Sequence, residues 1–501
     1  MVQRVGYGLT TSLFSCYPDG SQEGQKAMEL KRVSNIAVIA VLFLAEVSVA
    51  FETSMIYAAL KRLIEVFGDP VTVGWMVTLY LLLGAGASAV AGRLGDMYGR
   101  KKLMVIMLAF AVFGSALSAF GGSFELVLAG RAMQGLGLAA MPLAFGIVRE
   151  VFPPDRVPFN NGILIAGAGT GTALGLVVGG LLIDNFDWHW IFIASCLLAL
   201  TSLIAVALVL PRSTKLAKVE RLDWLGLSLF LPAIGGLLVA ISKSGEWGFS
   251  DVRVMVPGVA GIVLLAMWIW RSLAAPDPFI DVRLLAHRNV WVANLIISVL
   301  ALGYIQVTMI MALMVQNPAW TGFGLGASAT VAGLAKVPSN IITLGAGLLA
   351  GWLAVRSGNR TVVLLAAICE ATAWLAIYFF HGNIVTVAFI ICFISFFGTM
   401  IYTAVPNIIV EAVPAERTSE ATGMMVVIRT AVSAIGAQIL AVLFASSTAT
   451  DPQTGAHYPD ATAFTVVIAY VIVGTLICGA LSFLLRKGRM QTGTEGALNN
   501  G

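Results

Sequence analysis

The sequence predicts an all-α integral membrane protein with fourteen transmembrane spans, and three observations support this fold class. Hydrophobic residues make up 58% of the 501 positions and charged residues 11%, against roughly 25% charged in a soluble domain. The apolar residues form blocks of about 20, which is the length of helix that crosses a bilayer. Glycine is abundant, with 52 residues, as is typical of helices that pack closely in lipid.

The fourteen predicted spans follow from these blocks. The first six cover Ile36–Ala58, Val71–Gly92, Leu103–Gly122, Leu126–Val148, Gly162–Ile183 and Trp190–Leu210. Two shorter spans, flanked by charge, cover Trp224–Ile241 and Val254–Trp270. The last six cover Val292–Val315, Val331–Ala350, Thr361–Phe380, Ile384–Ile408, Gly423–Leu443 and Phe464–Leu485.

The distribution of Lys and Arg predicts the orientation of the chain in the membrane. With the N-terminus in the cytoplasm, about 23 of the 30 basic residues fall in cytoplasmic tails and loops, which is the positive-inside pattern. Twelve or fourteen spans satisfy this pattern, and the length of chain between Pro211 and Asp281 favours fourteen. Both termini are therefore expected in the cytoplasm, with the multi-pass chain in a plasma membrane or a bacterial inner membrane.

Composition and motifs exclude several other classes of function. The net charge is +4, and the basic residues do not form one patch of the kind that binds nucleic acid. A phosphate-binding loop that ends in Lys-Ser or Lys-Thr is absent from the sequence, as are a Ser-His-Asp set and zinc-ligand spacing. Four of the five cysteines lie inside apolar spans, where we expect small core residues. The sequence therefore predicts neither an enzyme nor a protein that carries a metal or another cofactor.

The loop after span two has the most specific motif and reads G-R-L-G-D-M-Y-G-R-K-K-L. Gly92 and Gly99 permit a tight turn, and Asp96 places an anion just before a helix start, where the helix dipole favours it. Arg100 and Lys101 are expected to anchor to anionic lipid or to pair with acids. The motif resembles, position by position, the loop between the second and third helices of the major facilitator superfamily, which implies a role in conformational switching.

A weaker copy of this loop, Gly351–Arg360, follows span ten, with Val355 in place of the acid. Matching loops in two halves indicate duplicated helix bundles, a known transporter design. Together with the resemblance, this implies a major facilitator fold of two six-helix bundles plus two additional transmembrane helices. The expected organisation is a disordered cytoplasmic tail over 1–33, a bundle over 34–211, a linker with the two extra spans over 212–288, a bundle over 289–487 and a cytoplasmic tail over 488–501.

Span four contains Arg131, Gln134, Gly135 and Gly137 at the spacing R-x-x-Q-G-x-G. This pattern resembles the fourth-helix motif of the same superfamily. A charge about five residues inside the outer boundary is costly unless it faces the bundle interior with a partner. The alternative is that Arg131 extends its guanidinium to the membrane interface.

Span five carries five glycines at the spacing G-x8-G-x3-G-x3-G-G, namely Gly162, Gly171, Gly175, Gly179 and Gly180. The pattern resembles the antiporter signature of the superfamily, except that Leu176 stands where that signature has Pro. Its small-residue face predicts close helix packing, whereas the kink that Pro would cause is not expected. Further fragments, Trp188–Phe192, Asp223–Gly226 and Glu246–Phe249, narrow the resemblance to the fourteen-span drug:proton antiporter family.

Ionisable residues inside spans are candidate proton-coupling groups. Glu52 in span one stands where the family usually has Asp, about six residues or roughly 9 Å from the outer end, and Arg131 reaches about the same height. Because helices one and four are neighbours in the superfamily fold, we expect Glu52 and Arg131 to pair in one state and to separate in another. Burial favours a protonated carboxylate, and a nearby Arg favours the ionised form.

Two further acids are weaker candidates for proton coupling. Glu46 precedes Glu52 by six residues and so lies about 240° around the helix, on a different face. Glu370, midway along span eleven, is either a second proton or cation site or a hydrogen-bonded structural acid.

The resemblance implies proton-coupled efflux of hydrophobic or amphipathic organic compounds by two bundles that rock about a central site. The expected partners are a small organic substrate, protons and the lipid bilayer, without nucleic acid, and the chain is expected to act as a monomer. The departures at Glu52 and Leu176 favour an alternative, uptake of an organic nutrient such as an aromatic acid. A second alternative is a membrane sensor or scaffold that does not transport.

Overall fold

The computed structural model describes residues 35–153, 156–211, 223–275, 278, 281–413, 418–452 and 456–485, and this part of the chain is almost entirely helical. It contains 14 spans that are long and apolar enough to cross a membrane, which confirms the predicted number. The predicted tails over 1–33 and 488–501 lie outside the described residues.

The helices divide into an N-terminal half, a middle pair and a C-terminal half. The N-terminal half has α1 Asn35–Phe67, α2 Pro70–Tyr98, α3 Arg100–Phe120, α4 Phe124–Gly135, α5 Ala140–Val151, α6 Val157–Asn185 and α7 His189–Val209. The middle pair is α8 Trp224–Trp247 and α9 Val252–Ala274. The C-terminal half has α10 Arg288–Leu302, α11 Val307–Gln316, α12 Ala329–Ser357, α13 Asn359–Phe379, α14 Ile384–Ala412, α15 Thr418–Ala445 and α16 Ala461–Ser482. A short antiparallel hairpin, β1 Thr448–Thr450 with β2 His457–Pro459, connects α15 to α16.

Spans four and nine are broken in the structure, whereas the sequence analysis treats each as one helix. A 3₁₀ turn over Leu136–Ala139 separates α4 from α5, and another over Tyr304–Gln306 separates α10 from α11. At the first break a Cβ on Gly135 would stand 2.3 Å from the carbonyl oxygen of Tyr80 in α2. The break therefore lies where two backbones approach closely, which hydropathy does not record. The middle pair, predicted as two short spans, forms full-length helices of 24 and 23 residues.

The helix pairs that join the two halves include α2 with α15, α6 with α12, and α1 with both α11 and α12. In the first pair, Thr78 Oγ1 lies 3.1 Å from Gln438 Oε1 and donates a hydrogen bond to it. In the middle pair, α8 packs against both α2 and α15. Trp75 Nε1 of α2 donates a hydrogen bond to Ser242 Oγ of α8 at 2.7 Å. The two extra helices thus lie beside one of the contacts between the halves.

The described contacts between α6 and α12 lie toward one side of the bilayer. We name the side on which α1 begins the inner side and the opposite side the outer side. At the outer end of α6, the Asp184 carboxylate accepts hydrogen bonds from the amides of Ala329 at 3.0 Å and Thr330 at 2.8 Å, at the start of α12. At the inner ends, a Cβ on Gly162 of α6 or on Gly351 of α12 would meet no described atom within 4 Å. This helix pair is therefore closed at the outer side, and Gly162 and Gly351 border open space near its inner end.

A second contact closes the outer side between α1 and the hairpin. Tyr458 of β2 donates from its hydroxyl to Glu65 Oε1 at 2.8 Å, and the ammonium of Lys61 lies 5.9 Å from the centre of the same ring. Burial and the hydrogen bond with Glu65 hold the pKa of Tyr458 above its ordinary value. The hydroxyl therefore stays a hydrogen-bond donor across the physiological pH range.

Candidate functional site

Glu52 lies in the interior of the N-terminal half, with its side chain 0% exposed. Its Oε1 accepts hydrogen bonds from Ser115 of α3 at 3.3 Å and from Ser195 of α7 at 3.1 Å. Its Oε2 has no hydrogen-bond partner among the described residues. Gly137, in the 3₁₀ turn of span four, lies beside this oxygen. A Cβ on Gly137 would stand 3.9 Å from Glu52 Oε2, so the glycine leaves room next to the carboxylate. An anion in such surroundings is costly unless a cation pairs with it or a proton neutralises it.

Arg131 of α4 is also buried, at 1% exposure, and faces the bundle interior rather than the membrane interface. Its Nε donates to the carbonyl oxygen of Met76 at 3.0 Å, and its Nη1 donates to the carbonyl oxygen of Glu52 at 3.3 Å. The guanidinium carbon lies 4.2 Å from the centre of the Tyr80 ring, where the negative ring face attracts a cation. Backbone oxygens and an aromatic ring thus stabilise the buried charge.

Glu52 and Arg131 are neighbours, but the guanidinium does not contact the carboxylate. Three hydrogen bonds connect the two groups instead. Arg131 Nη1 donates to Gln134 Oε1 at 2.7 Å, Gln134 Nε2 donates to Ser115 Oγ at 2.6 Å, and Ser115 Oγ donates to Glu52 Oε1. We name these four side chains the relay. The structure thus brings the predicted pair to one height and shows the carboxylate separated from the guanidinium.

The other two candidate acids do not belong to the relay. Glu46 is buried where α1 packs on α6, and a Cβ on Gly167 would stand 3.3 Å from its Cβ. Glu370 is buried in the C-terminal half, where its Oε1 lies 3.4 Å from both Trp374 Nε1 and Thr475 Oγ1. One carboxylate oxygen of each acid has no hydrogen-bond partner among the described residues. Of the predicted proton-coupling residues, the structure therefore brings only Glu52 and Arg131 together.

Four of the five glycines in α6 lie at close helix contacts. A Cβ on Gly171 would stand 2.3 Å from the carbonyl oxygen of Val47, and one on Gly175 would stand 2.0 Å from Ser54 Oγ, both in α1. Gly179 faces α1 as well, and Gly180 faces the first turn of α12. Gly162 is different: it lies at the open inner end, so the expectation that it packs closely is wrong for this conformation.

The loop motif holds α3 against its neighbours. The turn predicted at Gly92 is wrong, because α2 continues to Tyr98 and the chain turns at Gly99, whose φ is 95°. Such a φ is free of strain only for glycine. Arg100 Nη1 donates to the carbonyl oxygen of Gly146 at 2.7 Å and lies 3.6 Å from Glu150. Lys101 Nζ donates to the carbonyl oxygen of Leu210. The side chain of Asp96 lies outside the described residues.

The sequence analysis missed Ser115, Ser195 and Tyr80, which come from three different spans. A hydroxyl inside an apolar run is the one signal that the sequence offers for the two serines. Ser118 and Ser202 give the same signal, yet they donate to the carbonyl oxygens of Val127 and Leu44 instead. Only helix packing distinguishes the serines that reach Glu52.

Comparisons with known proteins concern the sequence and the fold of the whole chain. Residues 42–437 match the family model described as Major Facilitator Superfamily. The "Multidrug resistance protein B homolog" of Mycobacterium tuberculosis is 29% identical over 354 residues, which cover 70% of this chain and 62% of that protein. The "Lincomycin resistance protein LmrB" of Listeria monocytogenes is 25% identical over 351 residues, which cover 70% of this chain and 73% of that protein.

Solved structures share the fold at low sequence identity. A peptide transporter POT in complex with sulfate superimposes with a TM-score of 0.63 at 16% identity, over 89% of this chain and 95% of that chain. The inward-open conformation of the xylose transporter XylE from E. coli superimposes with a TM-score of 0.60 at 13% identity, over 91% and 97%. These two likenesses confirm the predicted architecture.

Proposed function

The chain belongs to the Major Facilitator Superfamily, and we propose that it is a secondary-active transporter that exports hydrophobic or amphipathic organic compounds in exchange for protons. The observation that carries this proposal is the Glu52 carboxylate, fully buried beside Arg131 and bonded to two serines. A buried acid without a direct cation partner is suited to exchange a proton as its surroundings change. The names of two relatives, a multidrug and a lincomycin resistance protein, support export.

In the proposed cycle, the described conformation is the one that is open toward the inner side. Only a protonation that differs in free energy between the two conformations can drive transport. When substrate binds from the inner side, the Arg131 guanidinium moves from Gln134 to the carboxylate of Glu52, and the cation favours release of the proton to the inner side. Once the halves have rocked and the outer side is open, the two groups are separated again, and this arrangement favours uptake of a proton from the outer side. The relay therefore makes the charge of Glu52 depend on which side of the bilayer is open.

Replacements of Glu52 test this cycle in proteoliposomes with an imposed pH gradient. The probes are three naphthalene compounds of equal ring size: anionic 1-naphthoate, cationic 1-naphthylmethylammonium and neutral 1-naphthylmethanol. We expect Glu52→Gln to lose uphill movement of every transported probe while downhill exchange continues, and Glu52→Asp to keep uphill movement. Ser118→Ala is the matched control, because Ser118 is buried in the same half but bonds to Val127. Full uphill transport by Glu52→Gln would exclude Glu52 as the coupling group.

Glu46 and Glu370 remain part of the proposal as additional proton sites. Each is buried and leaves one carboxylate oxygen without a partner among the described residues. If either acid carries a proton in the cycle, its replacement by Gln lowers the number of protons exchanged per substrate. Uphill transport that survives simultaneous replacement of Glu46, Glu52 and Glu370 by Gln would overturn proton coupling altogether.

The rest of the organisation is proposed on the same basis. Two bundles over 34–211 and 289–487 rock as a monomer, with the segment over 212–288 between them and both termini in the cytoplasm of a multi-pass membrane protein. The loop over 92–103 is the proposed switch, because Arg100 and Lys101 connect α3 to its neighbours at the inner side. Distances between spin labels on the two halves, measured with and without a pH gradient, test the rocking.

Proton-coupled uptake is the second candidate, and one observation favours it. Helix α6 runs without interruption from Val157 to Asn185, with Leu176 where the antiporter signature has Pro. Leu176 is buried against α12, where a Cβ on Gly333 would stand 2.5 Å from its carbonyl oxygen. The sign of the pH change decides between the two functions. When substrate is added to inside-out vesicles, an exporter takes it into the lumen in exchange for protons that leave, whereas an uptake symporter run in reverse carries protons into the lumen together with the substrate.

A further inference from the structure

A lysine is buried between the two halves of the protein, in a part of the fold that the proton-coupling proposal does not use. Lys336 of α12 is 4% exposed and lines a narrow cleft. The walls of the cleft come from both halves: Ala58 of α1 and Leu176 of α6 on one side, and Thr308, Met311, Ala312, Gln316, Ala332 and Gly333 with Lys336 on the other. A group bound in this cleft would touch both halves at once.

The ammonium of Lys336 has a neutral partner. Its Nζ donates one hydrogen bond, to Ser395 Oγ of α14 at 2.9 Å. The carbonyl oxygen of Ser395 accepts from the Tyr304 hydroxyl at 2.9 Å, so this serine is held in place. No carboxylate among the described residues forms an ion pair with Lys336, and the two fully buried acids, Glu52 and Glu370, bond elsewhere. A buried cation without an anion is costly, and an incoming anion would remove that cost.

The remaining walls favour a ligand with a polar end and an apolar body. Gln316 is 2% exposed and leaves its Nε2 without a hydrogen-bond partner among the described residues. This amide is a second donor in the same cleft as the ammonium. Met311, Ala312 and Ala332 supply apolar surface next to the donors, and methionine adapts to ligands of different shape.

We propose that Lys336 and Gln316 form the binding site for the negatively charged group of an amphipathic organic anion, such as a carboxylate on an aromatic or aliphatic body. Two donors and no acidic side chain select an acceptor group, and an ammonium bonds most strongly to a carboxylate. The apolar body of the ligand extends along the cleft toward the open inner side. The inference rests on the proposed transport function and deepens it, because it names the substrate class.

Equilibrium binding to the purified full-length protein in lipid nanodiscs tests this site without a pH gradient. The probes are 1-naphthoate, 1-naphthylmethylammonium and 1-naphthylmethanol, measured by calorimetry. We expect the wild type to bind 1-naphthoate at least tenfold more tightly than the neutral alcohol. Lys336→Gln should raise the Kd of 1-naphthoate at least tenfold and change that of the alcohol less than twofold, whereas Lys336→Arg should keep the preference for the anion.

Lys243→Gln is the matched control, since it removes the same charge from an exposed lysine that pairs with Glu246. The proposal is overturned if Lys336→Gln keeps the preference for 1-naphthoate, if it weakens all three probes equally, or if the wild type shows no preference. The binding experiment does not depend on proton coupling, because it is made at equilibrium without a pH gradient. Preferred binding of the anion that depends on Lys336, together with no uphill flux of any probe, would refute the transport proposal and leave this site standing.

Discussion

Removal of the Asp184 carboxylate should open the outer side of the protein. Asp184 lies in the N-terminal half and caps α12, a helix of the C-terminal half. Its carboxylate accepts hydrogen bonds from two amides in the first turn of α12, at 3.0 and 2.8 Å. An acidic cap of this kind contributes about 1 kcal/mol, and its position at a helix N-terminus adds about 0.3–1 kcal/mol. These contacts are present only while the outer ends of α6 and α12 meet.

The size of the expected shift follows from these contributions. Asp184 is largely exposed, so water screens part of the attraction and we take about 1–2 kcal/mol for the whole contact. Loss of that amount changes the ratio of outward-open to inward-open molecules by a factor of roughly 5–30. Asp184→Ala should give the full shift. Asp184→Asn should give a smaller one, because the amide oxygen still accepts a hydrogen bond but carries no charge.

The assay is the distance between spin labels at the outer ends of opposite halves. Leu126 at the start of α4 and Phe380 after α13 are both exposed there, and neither contacts Asp184. The labels are attached to cysteines at these positions in a variant that lacks the five natural cysteines. Asp184→Ala should increase the fraction of long distances in substrate-free protein at neutral pH.

A matched control separates gating from general loss of helix capping. Asn383 caps α14 at the same side of the membrane, where its Oδ1 accepts from the amide of Val385 at 2.8 Å. Both partners belong to the C-terminal half, so Asn383→Ala removes a cap without affecting the contact between the halves. An unchanged distance distribution in Asp184→Ala, or an equal shift in Asn383→Ala, would refute the reasoning.

Three further predictions concern packing, the second outer contact and the relay. Gly171→Ala should lower the free energy of unfolding by about 1–3 kcal/mol, since its Cβ would meet a backbone oxygen at 2.3 Å; Gly169→Ala, which meets nothing within 4 Å, should leave thermal unfolding unchanged. Tyr458→Phe removes the hydrogen bond to α1 and should shift the equilibrium between inward-open and outward-open molecules by about 1 kcal/mol, which the same spin-label distances report. An unchanged distance distribution would exclude this contact as part of the outer closure. Ser115→Ala breaks the relay and should lower pH-driven flux at least fivefold, whereas Ser118→Ala should leave it unchanged; equal fluxes would show that the relay does not transmit the charge of Glu52.

The relay shows how a position in a helix becomes a site only through packing. Counting residues along spans one and four places Glu52 and Arg131 at the same height, because the rise per residue of a helix is constant. Counting does not reveal which atoms meet. In the structure, the guanidinium bonds to the backbone oxygen of Glu52 and to Gln134, while the carboxylate faces Ser115 and Ser195. Those serines come from α3 and α7, far away along the chain.

The sequence by itself determined the number of spans, the broad class of protein and the identity of its motifs. These properties depend on local composition: a block of about 20 apolar residues must cross the membrane wherever it lies, and its backbone must be helical because lipid offers no hydrogen bonds. The longer helices at α8 and α9 and the continuation of α2 past Gly92 correct only the boundaries.

Tertiary structure alone decided which side of the protein is closed and which polar groups lack partners. The contact of Asp184 with Ala329 joins residues 145 positions apart, and the breaks at Leu136–Ala139 and Tyr304–Gln306 lie inside spans that the sequence predicts as single helices. In the same way, the sequence shows Lys336 only as one basic residue in an apolar run. The packing of five helices places it in a cleft that no acidic side chain lines. The physical reason is that close packing and charge pairing depend on distances in space, and hydropathy along the chain carries no information about them.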